Sequence, residues 1–248
     1  MPLPRLYYEK SLKEGQCLEL DTKASQYLLH VLRLKKNSPL LLFNGQGGEF
    51  TATIIDIKKR TATIELIKYQ PGLAKPSLNI HLGQGLAKGQ RMDYALQKAT
   101  ELGGSTITPL YTKRNNVQLS PSRLENRMQH WRGVITHAAA QSKRCEVPVL
   151  NTPAHFSEST LLKEKNTLKL ICSLRETDHI FSTTENHTPS KVILLIGPEG
   201  GFTPEEIDIA LNNGFEILNL GPRTLRTETA TVTALSLIQM LWGDIKFN

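Results

Sequence analysis

The chain has 248 residues, 39% of them hydrophobic and 21% charged, a composition that excludes a disordered protein and leaves room for one large folded domain or two modest ones. No stretch approaches the ~18 consecutive apolar residues of a membrane helix, the first residues lack an apolar signal-peptide core, and Cys17, Cys145 and Cys172 are too scattered for a disulfide framework or a metal site. The formal net charge of +7 points to a polyanionic partner, with a merely basic surface as the alternative.

The positive charge recurs in short clusters: Arg33-Leu34-Lys35-Lys36, Lys58-Lys59-Arg60, Lys113-Arg114 and Lys143-Arg144. Such spacing fits folded basic patches better than a disordered arm. Unpaired cysteines fit a reducing cytoplasm, which is the expected location.

In chain order, Thr22 to Leu34 reads as a short helix with Tyr27, Leu28, Val31 and Leu32 on one face. Pro39 to Phe43 is an apolar strand, and Asn44 to Gly48 is a turn cluster. Glu49 to Ile57 and Thr61 to Lys68 are rich in Thr and Ile and flank Lys58-Lys59-Arg60, which predicts a hairpin. A small β-barrel-like domain over residues 1–72 is the natural assembly. Pro71-Gly72 and Lys75-Pro76 then mark a linker.

From residue 76 onward the pattern becomes strand–helix alternation. Strands are expected at Leu78–Leu82, Thr106–Leu110, Leu168–Cys172, Val192–Ile196 and Glu216–Leu220. Gln90 to Leu102 carries Met92, Ala95, Leu96, Ala99 and Leu102 at helical spacing, and Gly103 closes it. Ser122 with Glu125 predicts a capping box opening a further helix, and Thr203-Pro204-Glu205-Glu206 predicts another helix start. Thr229 to Trp242 is almost wholly apolar, so a buried helix is expected. The alternation predicts an α/β domain over 76–248 with a mostly parallel sheet.

Two loops after predicted strands carry the unusual chemistry. The first is Gly197-Pro198-Glu199-Gly200-Gly201-Phe202. Its glycines allow a sharp turn and close approach to a ligand, outside the carboxyl end of a strand where open α/β sheets bind ligands. It has neither the Walker nor the dinucleotide spacing, and by itself it reads first as a tight strand-to-helix turn. The second runs from Leu220 to Ala230 as LGPRTLRTETA. It sets Arg223, Arg226 and Glu228 beside an apolar helix, where charge is rare unless paired. An Arg–Glu pair capping that helix is the alternative.

Taken together, these two loops resemble the RsmE family of the SPOUT superfamily, whose members are uridine N3-methyltransferases of 16S ribosomal RNA. Lys88-Gly89-Gln90-Arg91-Met92-Asp93, Gln97 to Gly103, Ala140 to Arg144 with Pro148, and His30-Val31-Leu32-Arg33 agree with it. The likeness therefore runs nearly end to end, loosest over 150–190. It implies a trefoil-knotted α/β methyltransferase domain, one of the rare knotted folds, after a PUA-like RNA-binding domain. It also implies a homodimer, a 16S ribosomal RNA substrate within the small subunit, no metal, and S-adenosylmethionine held by three loops. Here those would be Ser173 and Leu174, then Gly197, Glu199, Gly200 and Gly201, then Leu220, Gly221 and Leu225.

Methyl transfer from a sulfonium is an in-line displacement, so alignment is the enzyme's main task. Uridine N3 is protonated at neutral pH and becomes nucleophilic as that proton leaves. Arg226 is the candidate to stabilise the resulting anion, because a guanidinium stays charged and offers several donors. Glu228 is the candidate proton acceptor or orienting group, although an ordinary Glu pKa of ~4.3 makes a weak base. Arg5, His30, Arg33, Arg91, Arg114 and Arg144 are candidate RNA contacts, positioning rather than sequence-reading. Two other readings stay open: a SPOUT enzyme acting on a ribose 2′-hydroxyl or a transfer RNA, and a non-catalytic RNA-binding ribosome-assembly factor.

Overall fold

The computed structural model describes residues 3–115, 120–175, 181 and 188–246. The chain forms two compact units, one comprising Met1–Lys75 with Thr136–Val147, the other Pro76–Ile135 with Pro148–Asn248. Residues 136–147, grouped by the sequence pattern with the second domain, thus fold with the first. Among the described residues no helix is long and apolar enough to cross a membrane.

In the first unit, β1 (Arg5–Tyr7), β2 (Cys17–Glu19), α1 (Thr22–Gln26), β3 (Pro39–Phe43), β4 (Glu49–Lys58) and β5 (Thr61–Gln70) build a five-stranded sheet in the order β1-β3-β4-β5-β2. The expected hairpin is present: β4 and β5 pair antiparallel from Glu49↔Gln70 to Lys58↔Thr61, around Lys59 and Arg60. Alternate residues Ala52, Ile54, Ala62, Ile64 and Leu66 enter one core with Leu28, Leu40 and Leu42. Each such Leu or Ile contributes roughly 1.5–3 kcal/mol by leaving water.

The helix expected to reach Leu34 is shorter. Asp21 caps α1 by accepting from the Ala24 N–H at 2.7 Å, then Tyr27–Val31 widens into a π-helical turn closed by Leu32 N–H to the Tyr27 carbonyl. Arg33 follows in the left-handed region (φ 55°), where the helix cannot continue.

Arg5 is a core element of this unit. It pairs with Glu49 at 2.8 Å, donates to the carbonyls of Ala139, Ala140 and Arg144, and lies over the Phe43 ring. Its side chain is only 7% exposed, and Arg144 is 5% exposed. Neither side chain is presented to RNA phosphates in this structure, contrary to both expectations: Arg5 is held by Glu49 and the carbonyls of Ala139, Ala140 and Arg144, and Arg144 is buried.

The second unit contains β6 (Asn79–Gly85), α2 (Gln90–Glu101), β7 (Gly104–Tyr111), α3 (Pro121–Gln141, whose last residues belong to the first unit), β8 (Val149–Leu150), β9 (Ala154–His155), α4 (Thr160–Lys163), β10 (Leu168–Cys172), β11 (Lys191–Ile196), α5 (Pro204–Asn212), β12 (Glu216–Leu218) and α6 (Thr227–Trp242). The sheet order is β12-β10-β11-β6-β7-β8, with β9 also on β7. Every pairing in it is parallel. Parallel strands covered on both faces read as continuous apolar runs, and Val192 to Ile196 are accordingly buried throughout.

The capping box at α5 forms as expected between Thr203 and Glu206. The one expected at Ser122 does not. The first helical bond of α3 runs from Leu124 N–H to the Ser120 carbonyl, so Ser122 already lies inside the first turn. Helix α6 starts two residues early and is not buried all round. Thr227, Thr231, Ala234, Leu235, Ile238 and Gln239 face inward, while Met240 and Leu241 remain 37% and 40% exposed.

Candidate active site

Three neighbouring parallel strands deliver three loops to one edge of the second unit's sheet. Register pairs Cys172 of β10 with Leu218 of β12, Ile171 of β10 with Leu195 of β11, and Ile196 of β11 with Gln84 of β6. The loops that follow β10, β11 and β12 therefore emerge side by side at the carboxyl ends of the strands, the ligand-binding edge of open α/β sheets.

The loop after β11 is compact and tightly held. Gly201 N–H bonds the Pro198 carbonyl at 2.9 Å, and Gly201 takes φ +66°. A Cβ on Gly197 would stand 2.9 Å from Gly201 Cα, and one on Gly85 at the end of β6 would stand 2.5 Å from Pro198 N. Only glycine lets these backbones approach so closely. Two clamps then fix the loop. Glu199 accepts from Lys88 N–H at 3.0 Å and from Arg91 at 3.1 Å. On the other side Arg114 donates to the carbonyls of Gly200 at 2.9 Å and Phe202 at 3.3 Å. Partial burial pushes the Glu199 carboxyl up, but the bonds from Lys88, its own backbone and Arg91 outweigh it and hold the group below the usual carboxylate range. Arg91 and Arg114 are exposed, yet in this structure they grip the loop.

The loop after β12 is the opposite. Gly221 sits at φ +92° with open space where a Cβ would be, and its N–H is taken by Asn219 Oδ1 at 2.8 Å. Leu220 and Leu225 are half-buried, and Arg223 and Arg226 are exposed. Arg226 is the N-cap residue of α6 but provides no side-chain cap, and its guanidinium has no hydrogen bond or ion pair among the described residues. Glu228, half-buried in the first turn, has its Oε2 buried with no hydrogen-bond partner among the described residues. The Arg226–Glu228 capping pair is therefore not formed, nor does Glu228 orient Arg226 directly.

The loop after β10 places Leu174 48% exposed, with Ser173 Oγ accepting from Arg175 N–H at 3.1 Å. Of the RNA candidates in the first unit, His30 and Arg33 are exposed, as are Lys35 and Lys36.

Sequence reasoning missed the connection between the loops. Gln84, fully buried on β6, donates through Nε2 to Thr227 Oγ1 at 3.0 Å and accepts at Oε1 from Thr231 Oγ1 at 2.7 Å. Thr227 Oγ1 in turn donates to the Gly197 carbonyl at 2.6 Å. The available signal was a glutamine near the end of β6, three residues after His81, together with two threonines four apart on an apolar helix.

Comparison with known proteins places this architecture among RNA methyltransferases. An RNA methyltransferase domain model matches residues 74–239 and an RNA methyltransferase PUA domain model matches 20–67. The chain belongs to the RsmE family: it is 34% identical over 246 residues, 98% of each chain, to the ribosomal RNA small subunit methyltransferase E of Buchnera aphidicola from Schizaphis graminum. Its fold is matched by the methyltransferase E of Neisseria gonorrhoeae bound to S-adenosyl methionine, with a TM-score of 0.89, 34% identity and coverage of 99% of this chain and 100% of the other. A Legionella pneumophila protein solved with bound S-adenosylmethionine gives 0.90 at 37% identity, with the same coverage.

Proposed function

We propose that the chain transfers the methyl group of S-adenosylmethionine to N3 of a uridine in 16S ribosomal RNA, acting in the cytoplasm as a homodimer on the small subunit. The observation that carries this reading is a free cation beside an orphaned anion. Among the described residues Arg226 has no side-chain hydrogen bond or ion pair and Glu228 Oε2 is buried and unbonded, and both stand in the α6 turn that is tied through Thr227 to the Gly197 carbonyl.

The residues present fit the methyl donor. Among the described residues Gly201 and Gly221, both half-buried, have open space where a side chain would stand, and the exposed Leu174 offers an apolar surface. Gly197, Glu199, Gly200 and Gly201 would hold it together with Leu174, Leu220, Gly221 and Leu225. S-Adenosylmethionine supplies an electrophilic methyl group on a sulfonium. The chain's own residues then orient the acceptor and manage its charge. Arg226 stabilises the uridine anion that forms as N3 loses its proton, and the N-terminus of α6, which no side chain caps, adds a favourable partial positive charge. Glu228 accepts a hydrogen bond, and transiently the proton, at Oε2. His30 and Arg33 bind phosphates. The exposed Met240 and Leu241 supply apolar surface for the subunit contact.

Two measurements test this reading. Calorimetry is expected to show S-adenosylmethionine binding to the isolated protein. In ribosomal RNA from cells lacking the chain, one reverse-transcription stop in 16S RNA is expected to vanish, because an N3 methyl blocks the pairing face of uridine. Loss of a ribose or transfer-RNA methyl instead would overturn the assignment.

A further inference from the structure

We propose that Gln84 is a positioning residue for methyl transfer, the joint that keeps the 197–202 loop and the Arg226–Glu228 turn in register. The proposal rests on the function argued above. Gln84 is wholly buried, and its link to the site runs through Thr227.

The geometry has a fixed polarity. Thr227 has one hydroxyl proton, and it goes to the Gly197 carbonyl at 2.6 Å. Its oxygen must then accept, and Gln84 Nε2 supplies the donor at 3.0 Å. The same amide presents Oε1 to the Thr231 hydroxyl at 2.7 Å. Thr227 and Thr231 are one helical turn apart on α6; the Thr231 hydroxyl also lies 2.9 Å from the Thr227 carbonyl, and Gln84 Nε2 also donates to the Gly85 carbonyl at 3.2 Å, which turns the NH2 of the amide toward Thr227. Gln84 and Thr231 are wholly buried and Thr227 is 3% exposed. Lifting the 197–202 loop away from α6 would therefore break the buried bond from the Thr227 hydroxyl to the Gly197 carbonyl.

Stability alone does not call for this arrangement, since an apolar side chain of similar volume fills such a site as well or better. What the polar chain adds is directional: it sets where Arg226 and Glu228, the immediate neighbours of Thr227, stand relative to Gly197. A misplacement of ~1 Å between reacting groups can lower a rate by ~100-fold.

Gln84→Glu keeps the shape but, in its ionised form at an alkaline assay pH, offers only acceptors where Nε2 donated, so Thr227 cannot serve both Gly197 and residue 84. At saturating S-adenosylmethionine its single-turnover rate on ribosomal RNA should fall about 100-fold, with methyl-donor affinity changed less than tenfold. Thr227→Val should fall comparably, and Thr227→Ser, which keeps the hydroxyl, should recover most of the rate. The double variant Gln84→Glu/Thr227→Val should be little worse than either single one, because both break one chain. Should Gln84→Glu fail to fold, the Thr227→Ser against Thr227→Val comparison decides the matter by itself. The proposal is overturned if Gln84→Glu or Thr227→Val keeps its rate per folded molecule and loses only melting temperature. Failure of the unaltered protein to methylate 16S RNA would instead overturn the proposed function.

Discussion

The loops after β11 and β12 emerge at the same edge of the sheet, one on each side of β10, and are built in opposite ways. The first is gripped on every flank: Lys88 and Arg91 hold Glu199, Arg114 holds Gly200 and Phe202, and Thr227 holds Gly197. The second leaves Arg223 and Arg226 exposed and Glu228 Oε2 without a partner among the described residues. The difference separates two tasks. A cradle for a bound methyl donor must be preformed, whereas a group that meets charge developing on an incoming base must still be free when that base arrives. Arginine serves both ends of this contrast, and its partners, not its identity, tell which.

The largest expected effect breaks the free side. Arg226→Ala should lower the single-turnover methylation rate by ~100- to 1,000-fold with little change in methyl-donor affinity or melting temperature, since the guanidinium supports nothing in the fold. Arg226→Lys should restore little, because an ammonium cannot reproduce the planar fork of donors. A variant that melts early yet turns over normally would make Arg226 a structural cap after all.

Breaking the gripped side should show in binding. Gly201→Val has space for its side chain but not for its backbone: the left-handed conformation costs roughly 1–2 kcal/mol in a non-glycine residue. Methyl-donor affinity measured by calorimetry should therefore fall about tenfold or more, as such an energy implies. Gly201→Asn, which tolerates that conformation, should lose less. Equal losses for Asn and Val would mean that the side chain collides with the ligand and that backbone strain is not the cause.

The contrast between engaged and free arginines extends to the first unit. Arg33→Ala should flatten the salt dependence of RNA affinity by about one unit of slope. Arg5→Ala should leave the slope alone and lower stability, because it strands the largely buried Glu49 carboxylate. A flattened slope for a folded Arg5→Ala variant would return Arg5 to the RNA surface.

The smallest effect is a titration. With its folded pKa depressed, Glu199 contributes stability that is present above its unfolded pKa of ~4.3 and lost as pH falls through the lower folded value. The Arg91 partner is 44% exposed, so solvent screening limits the pair to about 1 kcal/mol. Melting curves of the unaltered protein and Glu199→Gln should differ slightly at pH 7 and converge below about pH 4. A difference that grows on acidification would contradict the assignment.

Much of this was legible beforehand where the signal is local. Strand–helix alternation, the Lys59–Arg60 hairpin and the Thr203–Glu206 cap rest on neighbours within a few residues, and each is present. What stayed hidden depends on distant partners. Arg5 meets Glu49 at a separation of 44 residues and carbonyls 134 to 139 residues away, so its charge suggested a surface it never reaches. The π-helical turn at Tyr27–Val31 looks like ordinary helix by periodicity, because one wider turn leaves the apolar spacing almost unchanged. Gln84 was passed over because a polar residue in a strand is meaningful only once the hydroxyls of Thr227 and Thr231, 143 and 147 residues on, are seen beside it.

The most direct test of the account is to supply small ribosomal subunits, isolated from cells lacking this chain, with the purified protein and methyl-labelled S-adenosylmethionine, then to digest the RNA and identify the labelled nucleoside. The account predicts 3-methyluridine from a single position in 16S RNA, formed by the unaltered protein and nearly absent with folded Arg226→Ala. Label on a ribose or on another base, or full labelling by Arg226→Ala, would contradict it.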